Sequence, residues 1–195
     1  FIYCNPTKLV FGKGQIARLG ELIPADKHLM ITFGGGSARR NGVYDQVVRA
    51  LEGRTWTEFW GIEPNPSVET LRKAVAQGKE QGVDFLLAVG GGSVIDGTKL
   101  IAAGLLYDGD PWEIVLKGRA ACGVPFASVL TMAATGSEMN SGAVISRYET
   151  QEKYAFYGNY PVFSVLDPET LFTLPKRQIA CGLADTFVHV LEQYM

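Results

Sequence analysis

The stretch VDFLLAVGGGS, residues 83–93, decides the fold class of this chain. Its apolar run over 83–89 is typical of a β-strand that is covered on both faces. Three glycines and a serine follow, and Ser93 begins a segment with helical spacing that extends to about Leu106. A buried strand, a glycine loop and a helix in this order indicate a right-handed crossover between parallel strands.

The same unit occurs once more upstream. An apolar run over 28–33 ends at Gly34-Gly-Gly-Ser37, and residues 43–51 then place valines and a leucine on one helical stripe. Ser67 is a suitable N-cap for a further helix that extends to about Gln81. Other strands are predicted at 8–12, 55–60, 124–130, 143–146 and 161–166, and other helices at 15–22 and from Pro175 onwards. The fold class is therefore α/β, with a parallel sheet of the kind that binds dinucleotides.

Composition excludes several functional classes. The chain has 195 residues, 47% of them hydrophobic and 19% charged, with a net charge of -2. This balance supports a core and argues against disorder and against a nucleic-acid partner. No apolar run reaches the roughly 18 residues that a membrane span needs. The first residues lack the pattern of a signal peptide, so we expect a cytoplasmic protein in which Cys4, Cys122 and Cys181 are reduced, buried thiols.

The loop at residues 90–93 has the properties of a phosphate site. The unpaired N–H groups at a helix start carry partial positive charge, and a pyrophosphate fits there if side chains leave room. Gly91 and Gly92 supply that room, Ser93 supplies a hydroxyl, and Asp96 follows in the first turn. The loop is neither GxGxxG nor a Walker loop, and on its own GGGS is weak evidence.

The loop at residues 34–37 favours NADP(H) over NAD(H). In doubly wound sheets the ribose lies at this point, where an acidic residue would bind the 2′-hydroxyl and repel a 2′-phosphate. The loop has no acidic residue but has Gly35, Gly36 and Ser37, with Arg39 and Arg40 just beyond. The alternative is that both arginines only solvate the surface, and for Arg40 alone that explanation is acceptable.

A third loop, TMAATGSE at 131–138, contains Thr131 and Thr135 and follows another apolar run. Such loops can border a phosphate or a nicotinamide, although most are ordinary loops. Asn140 and Lys153 carry no information when taken alone.

Asp185 and His189 lie four residues apart, so a helix would place them on one face. A carboxylate and an imidazole make half of a divalent-metal site, whereas stable sites use three or four ligands. The only other histidine is His28. Either the pair is incidental or further ligands lie in sequence beyond this chain, and we expect the second. The sequence also predicts a domain boundary near residues 167–175, since a new helical stretch begins at Pro175.

Three motifs together resemble a known family. GGGSVIDGTK (90–99), TxxATGSE (131–138) and ADxxxHxxEQY (184–194) are similar to those of the iron-dependent, or group III, alcohol dehydrogenases, nearest to the NADPH-dependent butanol dehydrogenase and aldehyde reductase branch. PTKLVFGKG (6–14), GIEPNP (61–66), SGAVISR (141–147) and VLDPETLFTLP (165–175) fit the same family.

The resemblance implies a site and an activity. An α/β dinucleotide-binding domain at 1–172 would be of the dehydroquinate synthase-like type, and residues 173–195 would start an all-helical metal-binding domain. Fe²⁺ or Zn²⁺ would be held in the cleft by one Asp and three His. Asp185 and His189 match the first two ligands, and the missing helical domain would supply the others. Gly36 and Ser37 match residues around the adenosine 2′-phosphate. Further cofactor contacts would come from Asn65, Gly91, Gly92, Ser93, Asp96, Thr131, Thr135, Asn140, Gly142, Lys153 and, nearby, Thr173.

The implied reaction is the NADP(H)-dependent interconversion of small aldehydes and primary alcohols, with no catalytic residue beyond the metal ligands. The resemblance also implies a homodimer formed through the edge of the sheet. Cys181 is interpreted as a packing residue rather than a nucleophile, and the chain alone is expected to be inactive. Two alternatives stay open: a dehydroquinate synthase-like enzyme that uses a nicotinamide cofactor transiently, and a nucleotide-binding module without catalysis.

Overall fold

A computed structural model describes residues 1–2 and 4–195 of the chain. The described residues form eight strands: β1 (Lys8–Phe11), β2 (Leu29–Phe33), β3 (Trp56–Phe59), β4 (Phe85–Gly91), β5 (Phe126–Met132), β6 (Gly142–Arg147), β7 (Glu152–Tyr157) and β8 (Phe163–Leu166). Six of them make a sheet in the order β1-β8-β5-β4-β2-β3, and every adjacent pair in it is parallel. The predicted parallel α/β architecture is confirmed.

Helices cover both faces of this sheet. They are α1 (Leu19–Leu22), α2 (Ser37–Arg40), α3 (Val43–Ala50), α4 (Val68–Glu80), α5 (Gly92–Leu105), α6 (Pro111–Leu116) and α7 (Lys176–Tyr194), with short 3-10 turns at Gln15–Arg18, Ser137–Met139 and Pro168–Leu171. Alternate residues of β4 belong to two separate buried clusters. Leu86 packs with apolar residues of α4, α5 and α6, whereas Leu87 packs with those of α1 and α3. The alternation follows from the two-residue period of a strand, and it explains why β4 is apolar throughout.

The boundaries of α4 and α5 follow from their first residues. Ser67 caps α4 as predicted, because its side chain accepts a hydrogen bond from the backbone N–H of Thr70 at 3.3 Å. Helix α5 begins at Gly92, one residue earlier than predicted, since β4 continues to Gly91. The second and third glycines therefore lie at the junction of strand and helix.

The sequence-based prediction misses helix α6 and strand β7, in addition to the four-residue helix α2. Helix α6 begins with a proline at its first position, and Asp110 caps it by accepting from the backbone N–H of Trp112 at 3.0 Å. Strand β7 pairs antiparallel with β6, and Phe156 is its one buried residue. A six-residue helix and a strand with one buried side chain show too little hydrophobic periodicity to be recognised.

The ribbon formed by β6 and β7 packs against α5 beside the end of the main sheet. Its attachment point is the loop before α4, where the backbone N–H of Ser146 donates to the carbonyl oxygen of Pro66 at 2.9 Å. This contact brings residues 65–67 next to the ribbon, which becomes one wall of the candidate site.

The prediction of buried cysteines is wrong. Cys4, Cys122 and Cys181 are all free and exposed. Cys4 precedes the first strand, Cys122 lies in a loop, and Cys181 lies on α7, which buries no residue among those described. The packing role expected for Cys181 therefore has no support. Of the helices that the structure describes, none has the length and apolar character needed to span a membrane.

Candidate functional site

The three loops singled out in the sequence lie at the carboxyl ends of neighbouring strands. They follow β2, β4 and β5, which are adjacent and parallel in the sheet. Ligands of open α/β sheets bind at this edge. Two cavities lie here, of about 490 and 590 Å³, and both are lined by Gly92 and Ser93. They therefore meet at the first turn of α5.

We call the first of these the ribbon cavity, because the β6–β7 ribbon forms one of its walls. It brings together eight of the candidate cofactor residues: Asn65, Gly92, Ser93, Asp96, Thr135, Asn140, Gly142 and Lys153. Asn65 adopts a left-handed backbone conformation with φ of 55°. Its side-chain oxygen accepts from Lys153 Nζ at 2.7 Å, so that the loop before α4 is tied to β7.

We call the second the glycine-loop cavity, because it follows the loop after β2. Seven candidate residues line it: Gly35, Ser37, Gly91, Gly92, Ser93, Thr131 and Thr173. Gly36 lines neither cavity, but its φ of 93° sets the turn into α2. Such a φ favours glycine, because it carries no Cβ.

Gly92 leaves room where the two cavities meet. A Cβ on Gly92 would lie 2.2 Å from Thr135 Oγ1, closer than any real contact between these atom types. The glycine therefore allows the loop after β5 to approach the start of α5. It also leaves the N–H groups of the first helical turn open to a ligand.

Arg39 and Arg40 have different surroundings. The guanidinium of Arg39 lies 4.2 Å from the ring centroid of Trp60, and its Nη2 lies 3.7 Å from Glu58 Oε2. Arg40 instead lines the glycine-loop cavity together with Ser37. Surface solvation was an acceptable explanation for Arg40 from the sequence, but Arg40 is the arginine of this pair that lines the cavity.

Lys99 is a residue that the sequence analysis did not single out. It is fully buried, and its ammonium donates to Ser137 Oγ, Asn140 Oδ1 and the carbonyl oxygen of Gly142. Burial lowers the pKa of Lys99 to about 8, while the charges of Asp96 and Glu138 act in the opposite direction. The available signal was a lysine between the apolar runs of α5, where a charge is costly unless it has partners.

Asp185 and His189 lie on α7, outside both cavities. Their side chains share a face as predicted, with 3.7 Å between Asp185 Oδ2 and His189 Nε2, and both are more than half exposed. Within residues 1–2 and 4–195, no group of three or more His, Cys, Asp or Glu side chains could hold a metal ion. The pair can supply two ligands and needs others to make a stable site.

Comparison with known proteins assigns the family. The sequence model of the iron-containing alcohol dehydrogenases matches residues 6–168. The chain belongs to this family. The family resemblance of the sequence motifs is therefore confirmed.

Relatives within the iron-containing alcohol dehydrogenases include enzymes named for both nicotinamide cofactors. The chain is 54% identical over its whole length to probable NADH-dependent butanol dehydrogenase 1 of Bacillus subtilis, of which it covers 52%. It is 55% identical, over 98% of its length, to the NADPH-dependent aldehyde reductase YqhD of Escherichia coli, of which it covers 51%. The crystal structure of Escherichia coli YqhD superimposes with a TM-score of 0.93 at 54% identity, over 99% of this chain and 51% of that one. The chain thus spans about half the length of the relatives it matches.

The residues present fit the cofactor of an iron-containing alcohol dehydrogenase. Two cavities that meet at a helix start are suited to a molecule with two ends and a central pyrophosphate, and Gly92 keeps the junction clear. The fit to a metal ion is partial, because an adjacent carboxylate and imidazole are suitable ligands but are only two in number.

Proposed function

We propose that the whole protein is an NADP(H)-dependent and metal-dependent oxidoreductase that interconverts aldehydes and primary alcohols. One observation carries the proposal: in a chain of this family, two cavities share Gly92 and Ser93 at the first turn of α5. The curated relatives are named as butanol dehydrogenases and an aldehyde reductase, which is consistent with this substrate class.

In the proposed complex, the pyrophosphate lies at Gly91, Gly92 and Ser93. The first backbone N–H groups of α5 have no partner within the helix and favour an anion there. The adenosine half would occupy the glycine-loop cavity, and the nicotinamide half would occupy the ribbon cavity. The supporting observation is that thirteen of the fourteen candidate cofactor residues line one or both cavities, Gly36 being the exception.

The proposed preference for NADP(H) rests on the glycine-loop cavity. Ser37 and Arg40 line it, and no Asp or Glu does among the residues that the structure describes. A guanidinium and a hydroxyl suit a 2′-phosphate, whereas an NAD-specific site places a carboxylate at the ribose. Because relatives are named for both cofactors, this preference is a property of the particular loop and requires its own test.

We propose that Asp185 and His189 hold a divalent cation, Fe²⁺ or Zn²⁺, together with ligands from sequence beyond this chain. When bound, the cation polarises a carbonyl oxygen and the nicotinamide supplies the hydride. The residues of this chain contribute by binding and orienting. The first turn of α5 fixes the phosphates, the ribbon closes one side of the cofactor, and α7 presents two ligands on one face.

The proposal extends to the domain boundaries and the oligomeric state of the protein. We propose that residues 1–172 are the cofactor domain and that residues 173–195 begin the helical domain, since α7 buries no residue. We also propose a homodimer formed through β1, which among the described strands pairs only with β8 and which exposes Leu9 and Phe11. The cytoplasmic location stays a prediction.

The test is an assay of hydride transfer by the purified whole protein with butanal as substrate. The reaction is monitored through the decrease in NADPH absorbance. We expect turnover with NADPH, loss of turnover after treatment with a chelator, and recovery when Fe²⁺ or Zn²⁺ is added back. Turnover that is unchanged by complete removal of metal, verified by elemental analysis, would contradict the metal-dependent mechanism. Failure to bind either nicotinamide cofactor would contradict the whole proposal.

A further inference from the structure

Lys99 presents an unusual combination of burial and hydrogen bonding. It lies in the middle of α5 with none of its surface exposed. Its ammonium donates to Ser137 Oγ at 2.7 Å, to Asn140 Oδ1 at 3.0 Å and to the carbonyl oxygen of Gly142 at 2.7 Å. A lysine ammonium has three N–H donors and no acceptor, so these contacts use its full capacity.

All three acceptors belong to residues that line the ribbon cavity, whereas Lys99 itself does not line it. The network continues beyond them. Ser137 Oγ donates to Asp96 Oδ1 at 2.6 Å, and Asp96 Oδ2 accepts from the backbone N–H of Val144 at 3.0 Å. One buried cation therefore connects helix α5, the loop after β5 and the first strand of the ribbon.

We propose that Lys99 is a positioning residue for the cofactor. It holds Ser137, Asn140 and Gly142 where the ribbon cavity can accept the nicotinamide half. The inference rests on the proposed function, which assigns that half of the cofactor to this cavity. Lys99 acts through these three lining residues and does not itself contact the cofactor.

The cost of burying Lys99 supports a role beyond folding. Burial disfavours its charged form and lowers its pKa to about 8, with Asp96 on the same helix and Glu138 on the following loop acting to raise it. An apolar side chain of similar size would avoid this cost, because it carries no charge that has to be removed from water. The ammonium instead provides three directional contacts that fix one arrangement of the wall.

The test compares a ligand that has both halves of the cofactor with a ligand that has only the adenosine half. NADPH fills both cavities in the proposed complex, whereas 2′,5′-ADP has the adenosine and the 2′-phosphate but lacks the nicotinamide. Both are titrated calorimetrically into the whole protein and into its Lys99→Met variant, which keeps a similar length and loses all three donors. We expect the Kd for NADPH to rise about tenfold and the Kd for 2′,5′-ADP to stay within about twofold.

If Lys99 only stabilises the fold, the result should differ, because a destabilised fold would weaken the binding of both ligands by a similar factor. Equal losses for both ligands, or no loss for either, would overturn the assignment. If the wild-type protein bound neither ligand, the proposed function would fail and this inference with it. If instead the wild-type protein binds both ligands and the Lys99→Met variant binds them with the same Kd values, only the role of Lys99 is contradicted.

A second variant keeps the test decisive if Lys99→Met does not fold. Ser137→Ala leaves Lys99 in place and removes only the hydroxyl that connects it to Asp96. We expect a smaller rise in the Kd for NADPH, about threefold to fivefold, with the Kd for 2′,5′-ADP unchanged. An unchanged Kd for NADPH in a folded Ser137→Ala protein would also overturn the assignment.

Discussion

Arg39 and Arg40 are adjacent in sequence, but their surroundings differ. Arg39 is held by Trp60 and Glu58, while Arg40 borders the glycine-loop cavity. The sequence could indicate that a basic pair follows the loop, but it could not indicate which arginine turns inward. That depends on the aromatic cluster of Phe33, Tyr44 and Trp60, whose members come from three separate segments.

The first prediction uses this pair as matched variants. Arg40→Met should raise the Kd for NADPH about tenfold and leave the Kd for NADH unchanged, because only NADPH carries the 2′-phosphate. Arg39→Met should change both values by the same small factor. Fluorescence titration with the two cofactors measures this, and equal cofactor selectivity in the two variants would refute the role of Arg40.

A second prediction concerns Ser37 in the same cavity. Ser37→Asp introduces the carboxylate that an NAD-specific site would have, so the preference should move towards NADH. The measurement is the ratio of kcat/KM for NADPH to that for NADH. If this ratio does not change, the loop after β2 does not read the 2′-phosphate.

A third prediction uses the clearance at Gly92. Gly92→Ala places a methyl group within 2.2 Å of Thr135 Oγ1, so the loop after β5 must move. We expect the free energy of unfolding to fall by about 1–3 kcal/mol. Gly35→Ala is the control, because a Cβ there meets nothing within 4 Å, and its effect should stay within about 0.5 kcal/mol. Urea denaturation that gives equal values for the two variants would show that the contact is not as close as described.

Helix α7 carries the two proposed metal ligands and buries none of its own residues. Its spacing could be predicted from sequence, since a carboxylate and an imidazole four residues apart share a helical face. Its apolar residues Ile179, Leu183 and Phe187 repeat every four positions and are all exposed. This stripe is consistent with a packing partner in the remainder of the protein.

The fourth prediction concerns the ligands on α7. In the whole protein, Asp185→Ala should lose bound metal and turnover but keep the Kd for NADPH within a few-fold, because α7 lines neither cavity. Glu192→Gln is a suitable control, since this carboxylate lies 3.9 Å from the other ring nitrogen of His189 and is not assigned as a ligand. Elemental analysis that finds full metal content in Asp185→Ala would contradict the assignment.

The central strands of the main sheet could be predicted because burial on both faces makes them continuously apolar, as in β2 and β4. The ribbon could only be predicted in part. Strand β7 buries Phe156 alone, and its importance lies in Lys153, whose partner Asn65 is 88 positions away in sequence. Such a contact is fixed by tertiary packing and leaves no local pattern. Lys99 is similar, because its acceptors lie about 40 positions downstream.

The chain contains the whole of the proposed cofactor site but only part of the proposed metal site. Both cavities are built from residues of this chain, whereas the described residues offer only two metal ligands. The sequence motifs indicated this division, and the finding that the chain spans about half of its relatives is consistent with it.

A fifth prediction follows from this division. The 195-residue chain by itself should bind NADPH but show little or no reduction of butanal, because a metal held by two ligands is weakly bound. The whole protein assayed at the same concentration is the control. Comparable turnover by the two proteins would refute the need for ligands from elsewhere.

In the proposed enzyme, a dinucleotide spans the two cavities at the start of α5 and faces a cation held by α7. A crystal structure of the whole protein with NADPH and Zn²⁺ would reveal both positions. We predict pyrophosphate oxygens within hydrogen-bond distance of the backbone N–H groups of Gly92 and Ser93, and a cation about 2.0–2.2 Å from Asp185 and His189. A cofactor bound away from the first turn of α5, or a cation that contacts neither Asp185 nor His189, would contradict the account.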